Sequence, residues 1–189
     1  VTGVQTCALP ILAVGVPGTV SGMELALSKY GTLKRAQVIA PAIKLAENGF
    51  ALEQGDIELL HTATGEFEKD KDLRAIFLHN GQPLQVGQKL VQKDLAKTLK
   101  EISAKGRDGF YKGWVAKALV DSSQAGKGII TQADLDKYKT RELAPIECDY
   151  RGYHVVSAPP PSSGGVVICQ IMNILEGYPI DRKSTRLNS

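Results

Sequence analysis

The sequence predicts an α+β fold that is rich in helix and carries a β-hairpin near its carboxyl end. Three observations support this class. Apolar residues recur at helical spacing in several segments, most clearly in VQKDLAKTLKEISAKG (residues 91–106). A later segment, residues 144–159, alternates apolar and polar side chains on both sides of Arg151-Gly152, which is typical of two paired strands. Glycine or asparagine follows most of the helical segments, at the position where helices commonly end.

The first third of the chain predicts a series of short helices. PGTVSGMELALSKYG starts a helix at its Gly-Thr pair and ends it at Gly31. Thr32 is expected to cap a short helix that Pro41 interrupts, and Pro41 then opens a second helix that ends at Asn48. A further helix is expected over residues 53–62.

The middle of the chain predicts a strand, a turn and more helices. AIFLH (residues 75–79) favours a strand, which an Asn-Gly turn joins to a short return strand. The helix of residues 91–106 then ends at Gly106. An aromatic pair follows in a turn, and another helix is expected from about Trp114. Thr131 stands three residues before an aspartate, a variant of the capping box that begins one more helix.

Length, composition and charge are those of an ordinary globular domain, and they exclude two classes of function. The chain has 189 residues, of which 43% are hydrophobic and 23% are charged. No apolar run approaches the ~18 residues that a membrane span needs, and no signal peptide stands at the start. Two of the three net positive charges come from the last nine residues. No basic face is therefore visible, and nucleic-acid binding is not expected.

Cysteines and histidines are too scattered to predict a disulfide framework or a metal site. The cysteines are Cys7, Cys148 and Cys169, and the histidines are His61, His79 and His154. No histidine is followed by a second ligand three or four residues later, the spacing of a helical zinc site. Cys169 lies in the apolar segment VVICQI, so we expect a buried free thiol there.

The segment SAPPPSSGGVVICQI (residues 157–171) contains the serines that most resemble catalytic ones. A nucleophile elbow needs Gly-x-Ser-x-Gly and a nearby base, and neither accompanies Ser162 or Ser163. A phosphate-binding loop that ends in Lys-Ser or Lys-Thr is also missing. The pattern favours a structural role instead. One of the serines would cap the helix VVICQIMNILEG, the prolines would stiffen its entry, and the glycines would let it approach the preceding strand.

Two other sets of polar residues have both a chemical and a structural interpretation. Three acids on one helical segment could form acid–base pairs, but they are more typical of a solvated helix face. These acids are Glu53, Asp56 and Glu58. Tyr111 with Lys112 could bind an anion, although Phe110-Tyr111 is more simply an aromatic plug beneath a turn. Composition and spacing alone therefore yield no reaction.

Several segments, taken together and in this order, resemble the large-subunit part of gamma-glutamyltransferases. They are PGTVSGMELALSKYG (residues 17–31), PAIKLAENGF (41–50), DLAKTLKEI (94–102), GRDGFYKG (106–113), GIITQADLDKYK (128–139), DYRGYHVVSAPPPSSGG (149–165) and QIMNILEGY (170–178). The resemblance runs without a large insertion, and DYRGY with PPPSSGG is its most specific part.

The resemblance implies a fold, a reaction and a location for the parent protein. The fold is the αββα sandwich of N-terminal-nucleophile hydrolases, of which this chain holds an incomplete, helix-rich part. The precursor of such an enzyme cuts itself, and the threonine freed at the start of the small subunit takes the gamma-glutamyl group of glutathione or a related amide as an acyl-enzyme. Water or an amine then accepts the group. The resemblance implies no metal or organic cofactor, and a bacterial parent that is periplasmic or secreted.

The chain departs from the family pattern at both catalytic ends. No Thr-Thr-His-type junction follows PPPSSGG, and no arginine that could bind a substrate carboxylate precedes the PGT segment. Five arginines stand in other contexts, so that role is transferred to none of them: Arg35, Arg74, Arg107, Arg141 and Arg151. We therefore predict no catalytic, cofactor-binding or metal-binding residue in this chain, and an inactive fragment.

The two ends of the chain differ in character from the middle. Residues 1–13 and 181–189 resemble translated sequencing-adapter DNA, so we expect non-native ends around a large-subunit segment at residues 14–180. The expected partner is the small subunit of the same precursor. A related acylase that processes cephalosporin side chains or poly-gamma-glutamate would share the scaffold. A non-catalytic helical binding module is the alternative from a different class.

Overall fold

The computed structural model describes residues 10–180, and the chain divides into two compact units whose boundary in sequence lies between Thr140 and Arg141. After a 3₁₀ turn at Pro10–Ala13, the helices of the first unit are α1 (Thr19–Tyr30), α2 (Arg35–Asn48), α3 (Gln54–His61), α4 (Thr64–Phe67), α5 (Lys71–Phe77), α6 (Lys93–Lys105), α7 (Asp108–Tyr111), α8 (Gly113–Ala125) and α9 (Gln132–Lys137). Its strands form two short antiparallel pairs, β1 (Phe50–Ala51) with β4 (Lys89–Leu90) and β2 (Leu78–His79) with β3 (Gln82–Pro83).

Helix ends that local signals mark are where the sequence predicts them. The N–H of Gly31 donates to the Leu27 carbonyl and ends α1. Gly106 ends α6 with a φ of 60°, a left-handed conformation that glycine adopts without steric cost. At the start of α9, Thr131 Oγ1 accepts the Asp134 N–H at 3.4 Å, and the Thr131 N–H donates to Asp134 Oδ2 at 2.9 Å. This reciprocal pair confirms the predicted capping box.

Pro41 lies inside α2, so the prediction that it separates two helices is wrong. The helix also begins after Lys34, whose N–H donates to Gln37 Oε1 at 3.0 Å, rather than after Thr32. A proline within a helix costs about 3 kcal/mol, because it removes one hydrogen bond and crowds the preceding turn. Packing of α2 along α6, which buries Ala46, offsets this cost.

The strand predicted over residues 75–79 is correct only for its last two residues, since the first three belong to α5. Asp70 begins that helix, because its Oδ1 accepts two backbone N–H groups of the first turn at 2.8 and 2.9 Å. The predicted Asn-Gly turn is confirmed between β2 and β3. Asn80 has a φ of 51° and Gly81 a φ of 76°, as a tight hairpin turn requires.

Two buried clusters form the core of the first unit. One consists of Leu52, Ile57, Leu84 and Leu90, with Leu60 and Phe77 packed against it. The other consists of Tyr111, Ala116, Ile130 and Leu135, with Val16, Val20, Phe110, Leu119, Val120 and Tyr138 around it. The helix expected over residues 53–62 is confirmed as α3, and its Ile57 belongs to the first cluster. The second cluster joins α7, α8 and α9 to the start of α1.

The second unit is a hairpin with one helix. Strand β5 (Ile146–Tyr150) pairs with β6 (Tyr153–Ser157), and α10 (Gly164–Glu176) packs against both strands. Arg151 and Gly152 form the turn with φ values of 49° and 85°. The predicted strand–turn–strand and the helix after it are therefore confirmed. Across residues 10–180, no helix combines the length and the apolar character that crossing a bilayer requires.

Candidate functional site

The PPPSSGG segment connects β6 to α10, and its serine side chains are exposed. Within the described part of the chain, neither the Ser162 nor the Ser163 hydroxyl has a hydrogen-bond partner. Within the connection, the backbone N–H of Ser162 donates a hydrogen bond to the Pro159 carbonyl at 3.2 Å. A serine becomes a useful nucleophile only when a base takes its proton. The arrangement therefore contains two ordinary alcohols rather than an activated nucleophile.

Ser163 stands at the N-cap position of α10, but its side chain forms no capping hydrogen bond, so the predicted side-chain cap is wrong. Its φ of −80° and ψ of −18° are helical, whereas a capping side chain reaches the first turn from an extended backbone. The Ser163 carbonyl accepts the N–H of Val167 at 3.0 Å, which extends the helical pattern through the serine. The sequence predicts a serine at the N-cap position of α10, but it does not predict the backbone conformation of that serine.

A chain with Ser162→Ala and Ser163→Ala together should keep the stability of the second unit within about 0.5 kcal/mol of the original. The reason is that neither hydroxyl makes a hydrogen bond that the change would remove. Hydrogen exchange at the amides of α10 is the measurement, with the original chain as reference. A loss of about 1 kcal/mol or more, which is typical of a lost cap, would contradict the absence of capping.

The glycines of PPPSSGG were predicted to let the helix approach the preceding strand, and this is confirmed at Gly165. Gly165 is buried, and a Cβ atom there would lie 2.7 Å from the Ala158 carbonyl oxygen and 2.9 Å from Ser157 Oγ. A Cβ atom at Gly164 would instead meet Ser162 Oγ at an ordinary 3.7 Å. Of these two glycines, Gly165 is the one that the packing of α10 against the end of β6 requires.

Tyr111 is fully buried and binds the PGT segment that leads into α1. Its hydroxyl donates to the Pro17 carbonyl at 2.6 Å and accepts the Ser21 N–H at 3.4 Å. Burial raises the pKa of the Tyr111 phenol, so the proton that it donates is held more firmly than in water. Phe110 packs beside it with the two rings edge to face, 5.0 Å between centroids. The interpretation of Phe110-Tyr111 as an aromatic plug is confirmed, but the pair lies in the short helix α7 rather than in a turn.

Arg107 and Tyr138 complete what we call the tyrosine anchor, which consists of Arg107, Tyr111 and Tyr138. The Tyr138 ring stacks on Tyr111 with 5.7 Å between centroids and an interplanar angle of 4°. The Arg107 guanidinium lies 4.7 Å from the centroid of the Tyr111 ring, and its Nη2 donates to the Tyr138 carbonyl at 2.6 Å. Gly18 lies so close to the Tyr138 hydroxyl that a Cβ atom would overlap it. The anchor and the PGT segment are thus built to fit each other.

A cavity of about 560 Å³ opens beside the tyrosine anchor, with Arg107 and Tyr138 in its wall. The serine and threonine hydroxyl groups in its wall form hydrogen bonds within the protein. Thr140 Oγ1 donates to Ser21 Oγ at 2.7 Å, and Ser28 Oγ donates to a carbonyl of its own helix at 2.9 Å. No histidine or cysteine is among the described residues that line it. Among the described residues, none of these serine and threonine hydroxyls hydrogen-bonds to a carboxylate or lysine side chain, so no nucleophile in the cavity wall is paired with a base.

Four of the five arginines considered above have internal hydrogen-bond acceptors. The acceptors are Glu24 and the Ser103 carbonyl for Arg35, the Glu68 carbonyl for Arg74, the Tyr138 carbonyl for Arg107, and the Tyr178 and Ile180 carbonyls for Arg151. Their guanidinium groups thus serve contacts within each unit. That no residue of this chain binds a substrate carboxylate stays a prediction.

The remaining polar candidates form short-range contacts on exposed surface. Asp56 Oδ2 accepts the N–H of Glu53 at 2.9 Å at the start of α3, and Glu58 accepts from the side chain of Gln54 at 2.9 Å. Lys112 pairs with Asp108 one helical turn away, 3.0 Å between Nζ and Oδ2. These contacts agree with a solvated helix face at α3, and they leave Lys112 apart from the buried Tyr111.

His154 is the histidine with carboxylate neighbours, but it forms no metal site. Its Nδ1 lies 2.9 Å from Asp149 Oδ1 across the hairpin, and its Nε2 lies 3.4 Å from Glu147 Oε2. The hydrogen bond to Asp149 raises the pKa of His154. All three side chains are exposed. Within residues 10–180, no group of three or more histidine, cysteine or acidic side chains is placed to hold a metal ion.

The prediction of a free thiol at Cys169 is wrong, because Cys148 and Cys169 form a disulfide. Their Cα atoms are 5.9 Å apart although the residues are separated by 21 positions in sequence. They meet because α10 packs against β5. No local pattern in the sequence predicts that packing. Cys169 is buried as predicted, with 8% of its surface exposed. Cys7 lies outside the described residues.

Comparison with known proteins gives one consistent answer. The model of the gamma-glutamyltranspeptidase family matches residues 3–189. A glutathione hydrolase proenzyme of Pseudomonas sp. (strain A14) is 73% identical over 170 residues, which are 89% of this chain and 30% of that protein. An acylase ACY 1 proenzyme of Pseudomonas sp. (strain SE83) is 46% identical over 168 residues, 89% of this chain and 30% of that protein.

A solved structure extends the agreement to three dimensions. The crystal structure of Helicobacter pylori gamma-glutamyltranspeptidase matches with a TM-score of 0.88 and 44% identity, over 95% of this chain and 51% of that chain. This likeness confirms the expected fold class, a mixed helix and sheet part of an N-terminal-nucleophile hydrolase. The chain spans about 30% of the length of the curated relatives named here. With a family model that matches nearly the whole sequence and a relative at 73% identity, the chain belongs to the gamma-glutamyltranspeptidase family.

Proposed function

We propose that residues 14–180 are a large-subunit segment of a precursor that cleaves the gamma-glutamyl bond of glutathione and related amides. The observation that carries this proposal is the 73% identity with a glutathione hydrolase proenzyme over 170 residues. In the proposed reaction, a threonine outside this chain takes the gamma-glutamyl group as an acyl-enzyme, and water or an amine accepts it. Cleavage of the precursor frees that threonine.

In this proposal the chain supplies scaffold rather than the nucleophile. The exposed serines of PPPSSGG have no base among the described residues, and the cavity beside the tyrosine anchor lacks a nucleophile–base pair. The PPPSSGG segment and the PGT segment instead have packing roles. PPPSSGG carries the chain from β6 into α10, and the PGT segment is held by the Tyr111 hydroxyl.

The partner that we propose is the rest of the same precursor, including its small subunit. An apolar groove of about 550 Å³ lies between α1, α2 and α6. Its apolar walls include Val20, Met23, Leu27, Val38, Ile39 and Leu99. Met23, in the wall of this apolar groove, is 68% exposed, which is unusual for a large apolar side chain among other apolar side chains. Because the relatives are about three times as long as the matched segment, a segment of the missing precursor is the occupant that suits this groove.

The disulfide supports a periplasmic or secreted location for the parent. Disulfides form and persist in oxidising compartments, whereas cytosolic reductants keep most thiols reduced. Cys148 and Cys169 are joined in the folded second unit. The proposal therefore places the folding of this segment outside the cytosol.

A second candidate function is that of an acylase on the same scaffold. The observation that favours it is the 46% identity with the acylase ACY 1 proenzyme over a segment of nearly the same length. The lower identity makes it the alternative rather than the conclusion. Because the nucleophile and much of the pocket lie in the missing part of the precursor, the coding sequence that follows would separate the two functions.

The 189-residue chain alone should not hydrolyse gamma-glutamyl-p-nitroanilide. A chimera is the complementary test: it is the Pseudomonas sp. proenzyme with its matching segment replaced by residues 14–180 of this chain. This chimera should cleave itself and hydrolyse the same compound. The chimera regains the threonine and the small subunit, and 73% identity preserves most contacts between the parts. Release of p-nitroaniline and the appearance of two subunits on a denaturing gel are the measurements.

The unmodified Pseudomonas sp. proenzyme is the matched control for this experiment. A chimera that folds but neither cleaves itself nor turns over substrate would contradict the proposed scaffold function. Turnover by the purified chain alone would contradict the location of the nucleophile outside it.

A further inference from the structure

The second unit has almost no hydrophobic core of its own. Among its described residues, 141–180, Gly165 and Cys169 are the buried ones. Of the apolar residues of α10, Val166, Met172 and Leu175 are only half-buried, and Ile174 is 64% exposed. Burial of apolar surface is the main force that holds helices on sheets. In this unit that force is weak, so another interaction must keep α10 on the hairpin.

The parts of this unit are also weak when taken separately. A two-stranded hairpin is marginal in water, and a helix of about 13 residues is close to the length below which isolated helices melt. Beyond the disulfide, hydrogen bonds from Arg151 join the hairpin turn to the end of α10. Its guanidinium donates to the Tyr178 carbonyl at 2.7 Å and to the Ile180 carbonyl at 3.0 Å. These contacts are exposed, and water competes for them.

The disulfide is therefore the principal tie in the middle of the unit. Cys148 is the central residue of β5, opposite Val155 of β6, and Cys169 lies in the second turn of α10. The bond crosses from strand to helix at the one apolar side chain of α10 that is buried. Without it, the unfolded form of this unit would gain the freedom of the whole chain between the two cysteines.

We propose that the Cys148–Cys169 disulfide is a redox-controlled latch, and that its reduction by a dithiol releases α10 from the β5–β6 hairpin while the first unit stays folded. A thiolate of the dithiol attacks the Cys148 sulfur, which belongs to the more exposed of the two residues. The bond between the sulfurs breaks, and Cys169 leaves as a thiolate that takes up a proton. The second thiol of the reagent then closes its own disulfide and frees Cys148. The two cysteines gain two electrons and two protons, and the dithiol loses them.

Through this disulfide, the conformation of the PPPSSGG connection depends on the redox state of its surroundings. The connection runs from β6 to α10, so it bridges the two elements that the disulfide holds together. In an oxidising compartment the bond persists and the connection keeps its shape. In a reducing one, the close packing at Gly165 loses its support.

Hydrogen exchange followed by mass spectrometry on the full 189-residue chain tests the latch. Treatment of the folded chain with dithiothreitol should speed exchange at the amides of α10 by at least about a hundredfold, the scale expected for loss of a cross-link that closes a loop of this size. Exchange in α6 and α8 should stay unchanged. A chain with Cys148→Ser and Cys169→Ser should show the fast exchange without reductant and should no longer respond to it.

Cys7→Ser is the matched control, and it should respond to dithiothreitol as the original chain does. Alkylation with iodoacetamide reports the state of each thiol. Three results would overturn the proposal: both Cys148 and Cys169 alkylated in the untreated chain, slow exchange in α10 after complete reduction, or equal loss of protection in α6 and α8. If the serine variant fails to fold, the reduced original chain still decides, because it is folded before the bond is broken.

Discussion

Replacing Tyr111 by alanine should lower the free energy of unfolding of the first unit by about 3–5 kcal/mol, the range for removal of a large buried aromatic ring. Tyr111 has no exposed surface and is one of the largest fully buried side chains of the described residues. Tyr111→Phe should cost less, about 1–3 kcal/mol, because it keeps the ring but leaves the half-buried Pro17 carbonyl without its donor. Urea unfolding followed by the fluorescence of Trp114, the single tryptophan, is the measurement.

Tyr30→Phe provides the matched control, since Tyr30 is 78% exposed and its hydroxyl should contribute little. The ordering of the three variants is the decisive result. If Tyr111→Ala unfolded at the same urea concentration as Tyr30→Phe, the tyrosine anchor would not hold the first unit together.

The tyrosine anchor explains why distant family segments belong together. Its members come from GRDGFYKG and from GIITQADLDKYK, and their contacts reach Pro17 and Ser21 in PGTVSGMELALSKYG. The Tyr111 hydroxyl and the Pro17 carbonyl that it binds are 94 positions apart in sequence. A resemblance that looks like three independent motifs in the sequence is therefore one packing arrangement in space.

Replacing Gly165 by alanine should destabilise the second unit by about 1–3 kcal/mol, as overpacking of a close contact does. The added methyl group would press on the Ala158 carbonyl and on Ser157, and backbone cannot give way cheaply. Gly164→Ala is a matched control one residue away, where the methyl group meets no close neighbour. The control should be neutral or more stable by up to about 1 kcal/mol, because alanine favours helix over glycine.

Exchange at the amides of α10 separates the two glycine variants. Gly165→Ala should lower the stability of the second unit and Gly164→Ala should not, although both changes add one methyl group in the first turn of α10. A Gly165→Ala chain with exchange as slow as that of Gly164→Ala would show that α10 does not pack as closely on the end of β6 as the structure places it.

Local signals predicted those parts of the fold that local interactions decide. The stops at Gly31 and Gly106, the Thr131 capping box and the two hairpin turns each depend on a few neighbouring residues, and all were confirmed. Two predictions failed for different reasons. Pro41 should end a helix by its own chemistry, yet α2 continues because it packs along α6. Ala75 to Phe77 favour a strand, but a second local signal, the side-chain cap at Asp70, begins a helix that runs through them.

The candidate site divides in the same way. The sequence indicated that Ser162 and Ser163 lack the pattern of a nucleophile, and it predicted the aromatic plug at Tyr111. It could not show that Ser163 leaves the helix uncapped, since that depends on a backbone angle. Nor could it show that Arg107 lies over the Tyr111 ring, since 31 positions separate Arg107 from the Tyr138 carbonyl that orients it.

By itself, the sequence determined the family, the helix-rich α+β class and the structural character of PPPSSGG. Motif order and residue spacing carry that information, because both are properties of the chain read in one dimension. Only the tertiary structure decided that Cys148 and Cys169 are joined, that Gly165 and not Gly164 is required by packing, and that Tyr111 holds the PGT segment. Each of these facts depends on two segments, distant in sequence or turned back on one another, coming within a few ångströms. Such distances are set by how helices and strands pack, and no local pattern of residues records them.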